Sequence, residues 1–391
     1  MPRTSKRAKR SSVISRQGSS SNVQNTDTVH SVERNENLAL LKLPSDVISS
    51  LLLLFPTIPI PAELPDGVQV LPPEYLDRAD TLRSLSQTCK SWREVFLPML
   101  WERMEACAIR TEFKEPWHVS EGQPQPMATV DKVPVQYDIR ELEWDQIPRG
   151  WYKPVSKRLE KLSEGLNSTP SLAAHVRIVN VTLTRCSPNT VLPAFVACLE
   201  KLPNLHTIQV IHAHSQMTTM LKNHFAGHKI PKALSVVIPD HAHEILRSCV
   251  AVRKVVCNEG GGSKLISAMR KCCKNVEIVS GIYFDEKLIK RLGKACPNLR
   301  ELTLGDAGDD PKFIINELAP IRHFKHLLRL EIQVELGCIK NDFANPICHE
   351  IISGVQKLMA GNQEHGKKIL RLYYIAPEYD RASNRSVEII L

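Results

Sequence analysis

Two hydrophobic periods divide this chain. From about residue 155 onward, short runs in which apolar and polar residues alternate are each followed by a turn and a stretch with apolar residues three and four apart. Alternation predicts a strand, and the wider spacing predicts an amphipathic helix. Strands are expected to begin near Val176, Leu205, Ala233, Val252, Val276, Leu299, Leu327 and Leu370, most of them 19 to 29 residues apart. Between them, Leu265, Ile266 and Met269 share one helical face, as do Leu288, Ile289, Leu292 and Ala295. One strand and one helix per unit, repeated at that period, predict a mixed α/β solenoid over 155–391. A doubly wound α/β domain competes, because strand–helix alternation supports either fold.

Before residue 107 the pattern is helical. Val47, Ile48, Leu51, Leu52 and Phe55 make one apolar face, and Pro44-Ser45-Asp46 is a good helix start. Leu82, Leu85, Cys89 and Trp92 form a second stripe. Leu97, Leu100, Trp101 and Met104 form a third, with Pro98 placed to open its helix. Three helices this short cannot bury so many large side chains alone, and an exposed apolar remainder marks a contact site. Pro56 to Asp80 contains six prolines, which predicts an extended loop between the first two helices. An insertion there adds closure entropy only slowly with its length.

The combination Leu43-Pro44, then a helix, then Leu82-x-x-Leu85-x-x-x-Cys89-x-x-Trp92, then Leu100-Trp101 resembles an F-box. That resemblance implies a three-helix module, over 38–106, that docks the Skp adaptor of cullin–RING ubiquitin ligases. By position it implies adaptor contacts from Leu43, Pro44, Val47, Ile48, Leu85, Cys89, Trp92 and Leu100. The family usually joins its first two helices by a short loop, so the insertion at 56–80 bears on whether the adaptor can dock. Thr88 stands where an apolar residue is more usual before the cysteine. In the second half, Pro297-Asn298-Leu299-Arg300-Glu301-Leu302-Thr303-Leu304 and Pro203-Asn204-Leu205-His206-Thr207-Ile208-Gln209-Val210 match Leu-x-x-Leu-x-Leu. They resemble leucine-rich repeats, which accompany many F-boxes, although the usual Asn after the strand is mostly missing.

A solenoid exposes alternate strand residues on a concave binding face. By register these are Asn180, Thr182, Thr207, Gln209, Lys254, Asn258, Glu301, Thr303, Arg329, Glu331 and Gln333. The expected function is a substrate receptor: the F-box holds Skp and through it a cullin, and the concave face holds an unknown protein to be ubiquitinated. An interaction or scaffold protein that assembles no ligase is the alternative. A nucleic-acid-binding protein ranks third.

Charge and composition refine this picture. The chain of 391 residues carries a formal net charge of +9 and is long enough for more than one folding unit. Residues 1–37, rich in Ser, Asn, Gln and Arg, predict a disordered basic tail. Lys6-Arg7-Ala8-Lys9-Arg10 within it fits a nuclear import signal or a solvated tail equally, so nucleus and cytoplasm both stay open. Residues 107–154 fit neither pattern and predict an ordered linker. All five tryptophans fall between 92 and 151. Lys264, Arg270, Lys271, Lys274, Lys287, Lys290, Arg291 and Lys294 are expected on outward faces of two helices. Such a stripe most simply solvates a helix face, with an acidic or phosphorylated partner as the functional alternative.

Signals for chemistry are sparse. No nucleophile elbow, phosphate loop or His-Glu-x-x-His is present. Gly260-Gly261-Gly262-Ser263 predicts a turn with Ser263 as helix cap. His212, His214, His224, His228, His241 and His243 recur at ligand-like spacings without the partners that complete a zinc site. The eleven cysteines are scattered, as buried reduced residues would be. No run long and apolar enough to span a bilayer occurs, and no signal peptide is visible. The expectation is no enzyme, no cofactor, no metal and no membrane partner.

Overall fold

The computed structural model describes residues 47, 50, 52–62, 71, 74–108, 149–334, 346–360, 366–374 and 385–391. All belong to one compact unit, Pro44–Leu391. The expected tail 1–37, the adaptor positions Leu43, Pro44 and Ile48, and most of the linker lie outside the described residues.

The fold is mixed α/β, built on a single ten-stranded sheet. The strands are β1 (Arg103–Ala106), β2 (Ile178–Leu183), β3 (Thr207–Ala213), β4 (Ser235–Ile238), β5 (Lys254–Cys257), β6 (Ile278–Ile282), β7 (Glu301–Asp306), β8 (Arg329–Gln333), β9 (Ile369–Tyr374) and β10 (Arg385–Ile390). They lie side by side in chain order, so the order never reverses as it does in a doubly wound sheet. Neighbours pair parallel throughout except β10, which returns antiparallel on β9. All eight strands read from the alternating pattern are present.

The helices are α1 (Tyr75–Ser86), α2 (Lys90–Trp101), α3 (Arg149–Ser168), the single turn α4 (Pro170–Ala173), α5 (Pro188–Lys201), α6 (Thr218–Phe225), α7 (His243–Ser248), α8 (Ser263–Cys272), α9 (Glu286–Ala295), α10 (Pro311–Glu317) and α11 (Pro346–Met359). Right-handed crossovers between parallel strands that always advance in one direction put every connecting helix on one face. Alternate strand residues meet those helices in the main core: Val179 and Val181, Ile208 and Val210, Val236 and Ile238, Val255 and Cys257, Leu302 and Leu304, Leu330 and Ile332, Leu370 and Leu372. The expected helix faces supply the other side, with Leu265, Ile266 and Met269 on α8 and Ile289, Leu292 and Ala295 on α9 all buried. Each such Leu or Ile contributes about 1.5–3 kcal/mol by leaving water. Phe195 on α5 meets Phe225 on α6 edge to face, 6.5 Å between centroids, which locks two successive units.

Three local expectations are corrected. The stripe from Leu82 to Trp92 is not one helix: α1 ends at Ser86, and extended Cys89 caps the start of α2. The cause is side-chain competition, because the Ser86 hydroxyl bonds the Arg83 carbonyl and the Thr88 hydroxyl bonds the Leu85 carbonyl. Pro98 opens no new helix. It lies inside α2, and the carbonyl it leaves unpaired belongs to exposed Glu94, where water can serve it. Met104 is not helical either. It lies in β1, which follows α2 after one residue and pairs parallel with β2. The sequence pattern missed this strand because it has four residues, and it missed β10 as well.

Candidate binding face

The sheet face turned away from the helices carries the second set of alternate residues. Hydrogen-bonded register aligns one row across it: Glu105, Asn180, Gln209, Val237, Val256, Ser280, Thr303, Glu331, Arg371 and Glu388. A neighbouring row holds Arg103, Ile178, Thr207, Ser235, Lys254, Ile278, Glu301 and Arg329. Eight of the eleven expected binding residues lie in these two rows, and the structure divides the expected set into a covered and an open group, with Asn258 in neither.

The first group is covered. Asn180 and Gln209 are fully buried, as is Thr182, and Thr207 is 4 % exposed. What covers Gln209 is the proline-rich segment, which is not a free loop. Residues 58–62 lie against β1 and β3 as a strap. The Gln209 carboxamide accepts from the Ala62 N–H at 2.9 Å and donates to the Pro59 carbonyl at 2.9 Å and to Asn180 Oδ1 at 3.2 Å. The Arg103 guanidinium donates to the Ile58 carbonyl at 2.8 Å. Ile58, Ala62 and Leu71 pack with Leu76 of α1, Cys107, Ala108 and Ile211 in a second, smaller core. The expected 56–80 loop is also shortened at its far end, since α1 begins at Tyr75. Extended segments with carbonyls free of helix bonding suit a carboxamide that can serve an N–H and a C=O at once.

Burial here shifts titration. It pushes the Glu105 carboxyl above its ordinary range, against the pull of Arg103, Arg78 and Arg158. It also lowers Arg103 and Arg158. Asn258, expected to face a ligand, is used internally instead: its amide donates to the Val210 and Ile211 carbonyls at 3.0 and 3.1 Å.

The second group is open. Glu301 is exposed, and Lys254, Thr303, Arg329, Glu331 and Gln333 are half-buried. They are joined by Ser280, Arg371 and Glu388, which the sequence reading left out. Ser280 donates to Thr303, and Thr303 donates to Glu331 at 3.2 Å. Glu331 also receives Arg329 at 2.8 Å and sits 3.7 Å from Arg371, while Arg329 reaches Glu388 on β10 at 3.3 Å. This network holds four charged side chains in fixed places on a face open to partners.

The positions expected to contact an adaptor lie on the α1–α2 hairpin and before it. Cys89 is exposed, and Leu85, Trp92 and Leu100 are half-buried. Trp92 stacks edge to face on Phe96 at 5.6 Å. Val47 is helical and exposed; Leu53 and Leu54 are 84 % and 76 % exposed and Val95 42 %.

The histidines distribute among separate carboxylates: His212 with Glu259 at 3.2 Å, His228 with Glu200 at 3.1 Å, His243 with Glu244 at 3.1 Å. Among the described residues no group of three or more His, Cys, Asp or Glu is placed to hold a metal ion, and no helix is long and apolar enough to cross a membrane. Burial pushes the thiols of Cys198, Cys257, Cys273 and Cys296 up to about 12, far from a nucleophile's range. Ser263 is not the helix cap it was expected to be. It is the first residue of α8, preceded by Gly262 in the left-handed region, and the cap comes from the previous unit: Asp240 accepts from the Lys264 and Leu265 N–H groups at 2.8 and 3.1 Å. A partner 24 residues away is invisible to a local motif.

The His212 hydrogen bond holds the Glu259 carboxyl below its ordinary range. The folded state therefore binds this proton less readily than the unfolded chain, so the contact stabilises above the ordinary carboxylate range and is lost as pH falls through it. Glu259→Gln is expected to flatten that part of the acid limb. Denaturant midpoints measured across the carboxylate range check this, and an acid limb identical to the parent's would refute it.

Compared with models of known protein families the chain matches none, and a comparison with curated proteins also finds no match.

Proposed function

We propose that the chain is a substrate-recognition subunit of a Skp–cullin–F-box ubiquitin ligase. On this reading the N-terminal helices dock the Skp adaptor, and the later strands form an irregular leucine-rich-repeat solenoid whose open face takes a target protein. The observation that carries it is the presence, within one compact unit, of exposed apolar side chains in the N-terminal segment and a separate polar sheet face. Leu53, Leu54 and Val95 present large apolar groups to solvent. Exposed apolar sets of this kind mark contact surfaces, and helix faces in a partner's groove are a common recognition mode. The second surface spans β6–β10, with Thr303, Arg329, Glu331, Arg371 and Glu388 on a rigid sheet. Burial of Asn180, Thr182, Thr207 and Gln209 narrows the target face to that half. The strap, residues 58–62, follows Leu53 and Leu54 in the chain and is fastened to β1 and β3, so on this reading the two surfaces keep a fixed distance. A fixed distance raises the effective concentration of a target at the transfer site.

Co-purification of the full chain with the Skp adaptor tests this. The intact chain is expected to be captured. Leu53→Asp/Leu54→Asp and Leu43→Ala/Pro44→Ala variants are expected to lose capture with an unchanged melting temperature. Absence of capture from a folded parent chain would replace the ligase reading with a scaffold protein using the same sheet face.

A further inference from the structure

A second feature lies away from the open face, on the edge where the strands begin. Arg253, Glu277 and Arg300 immediately precede or open β5, β6 and β7, and with Asn275, Asn298 and His326 they line a recess of about 340 Å³. Backbone bonds fix their spacing: the Glu277 N–H donates to the Arg253 carbonyl at 2.8 Å, and the Arg300 N–H to the Glu277 carbonyl at 2.7 Å. The Asn298 amide donates to the Lys274 carbonyl at 3.5 Å and ties the two adjoining turns.

Cations surround this recess. Helices α8 and α9 end on the same edge, since the turns after them, at 274–275 and 297–298, line it or flank it. Arg270 and Lys271 stand in the last turn of α8 and Lys294 in that of α9, all exposed, followed by exposed Lys274 and Arg300. Cations at helix C-termini complement the helix dipole, which accounts for Arg270, Lys271 and Lys294. It does not account for Arg253 and Arg300, which belong to strand starts. Glu277 is the one carboxylate lining the recess, and it lies 3.7 Å from Arg253. Among the described residues, no ion pair engages Arg270, Lys271, Lys274 or Lys294. From Lys264 to Arg300 the chain has nine lysines and arginines against three carboxylates.

We propose that this recess docks an acidic segment of a partner protein, one rich in Asp and Glu. One carboxylate enters between the Arg253 and Arg300 guanidinium groups, whose planar forks match it, and neighbouring carboxylates lie along Lys274, Lys294 and Arg270. A protein segment fits better than nucleic acid here. Glu277 at the wall opposes any anion, but a peptide can turn a side chain away from it, whereas a duplex must present its phosphates at fixed spacing. The proposal stands apart from the ligase reading, because the recess is on the strand-start edge and uses none of the adaptor or sheet-face residues beyond its rim.

The test is fluorescence anisotropy of the full chain with a labelled peptide of alternating Asp and Glu, beside its Asn/Gln analogue and a DNA duplex. The acidic peptide is expected to bind, the analogue not to bind, and affinity to fall as salt is raised toward about 0.5 M. Arg253→Ala/Arg300→Ala is expected to weaken binding roughly tenfold or more. Lys274→Glu/Lys294→Glu changes only exposed side chains and is expected to weaken it as well, so a folding defect in the first variant cannot hide the answer. Equal binding of the neutral analogue, preference for the duplex, or undiminished binding by either folded variant would overturn the proposal.

Discussion

Gly281→Ala is expected to destabilise the fold by about 3 kcal/mol or more. Gly281 sits in β6 at φ 74°, where the register against β7 shifts between Val279 and Ile282. The left-handed conformation alone costs an L-residue roughly 1–2 kcal/mol. A Cβ here would also lie 2.0 Å from the Cys257 carbonyl oxygen and 3.0 Å from its carbon. Both are backbone atoms of the adjacent strand, so relief requires parting β5 from β6 rather than rotating a side chain. Gly165 is the control. It lies in the last turn of α3 with nothing within 4 Å of a Cβ, so Gly165→Ala is expected to stabilise by up to about 1 kcal/mol. Denaturant unfolding followed by circular dichroism reads both. Equal midpoints for the two variants would show that the β6 irregularity carries no strain.

The same strands show how far the sequence can be read. Eight of the ten follow from alternation, because a strand packed on helices must place an apolar side chain at every second position. The two missed strands, β1 and β10, are the outermost of the sheet, and one is only four residues long. Cover over part of this face was legible in principle. In β4 and β5 the apolar run is nearly unbroken and every position of β4 is buried, whereas β3 is buried throughout yet keeps Thr207, Gln209 and His212 among its apolar residues. In β7, β8 and β9 buried positions alternate with more open ones. A strand covered on both faces reads as a continuous run and a strand covered on one face as an alternation. Val237 and Val256 on the sheet face turned away from the helices thus announce a cover, whereas Thr303, Glu331 and Arg371 announce solvent. The identity of the cover could not be read this way. Proline-rich sequence predicts the absence of helix, and only the pairing of Gln209 with residues 147 and 150 positions away says where the segment goes. The Asp240 cap on α8 escaped for the same reason, being local in space and distant in sequence.

Gln209→Leu is expected to release the strap. Leucine nearly matches the side chain in volume but offers neither donor nor acceptor. The Ala62 N–H and the Pro59 carbonyl would then be left against a fully buried position without partners. An unpaired buried amide group costs about 1–3 kcal/mol, so loss of the Ala62 partner raises the strap's population of open states by roughly 5- to 150-fold. Hydrogen exchange reads this at one amide: Pro59 and Pro61 carry no N–H, so Ala62 reports on the bond in question. Arg103→Met should act in the same direction, more weakly, because Arg103 makes one bond to the strap where Gln209 makes two. If Ala62 exchanges no faster in Gln209→Leu, the apolar cluster of Ile58, Ala62, Leu71 and Ile211 holds the strap without help, and the carboxamide is incidental. If it exchanges faster while the global denaturant midpoint holds, the strap opens as a local unit. Asn180 and Gln209 then become reachable, and the face available to a target gains a second patch at β2 and β3.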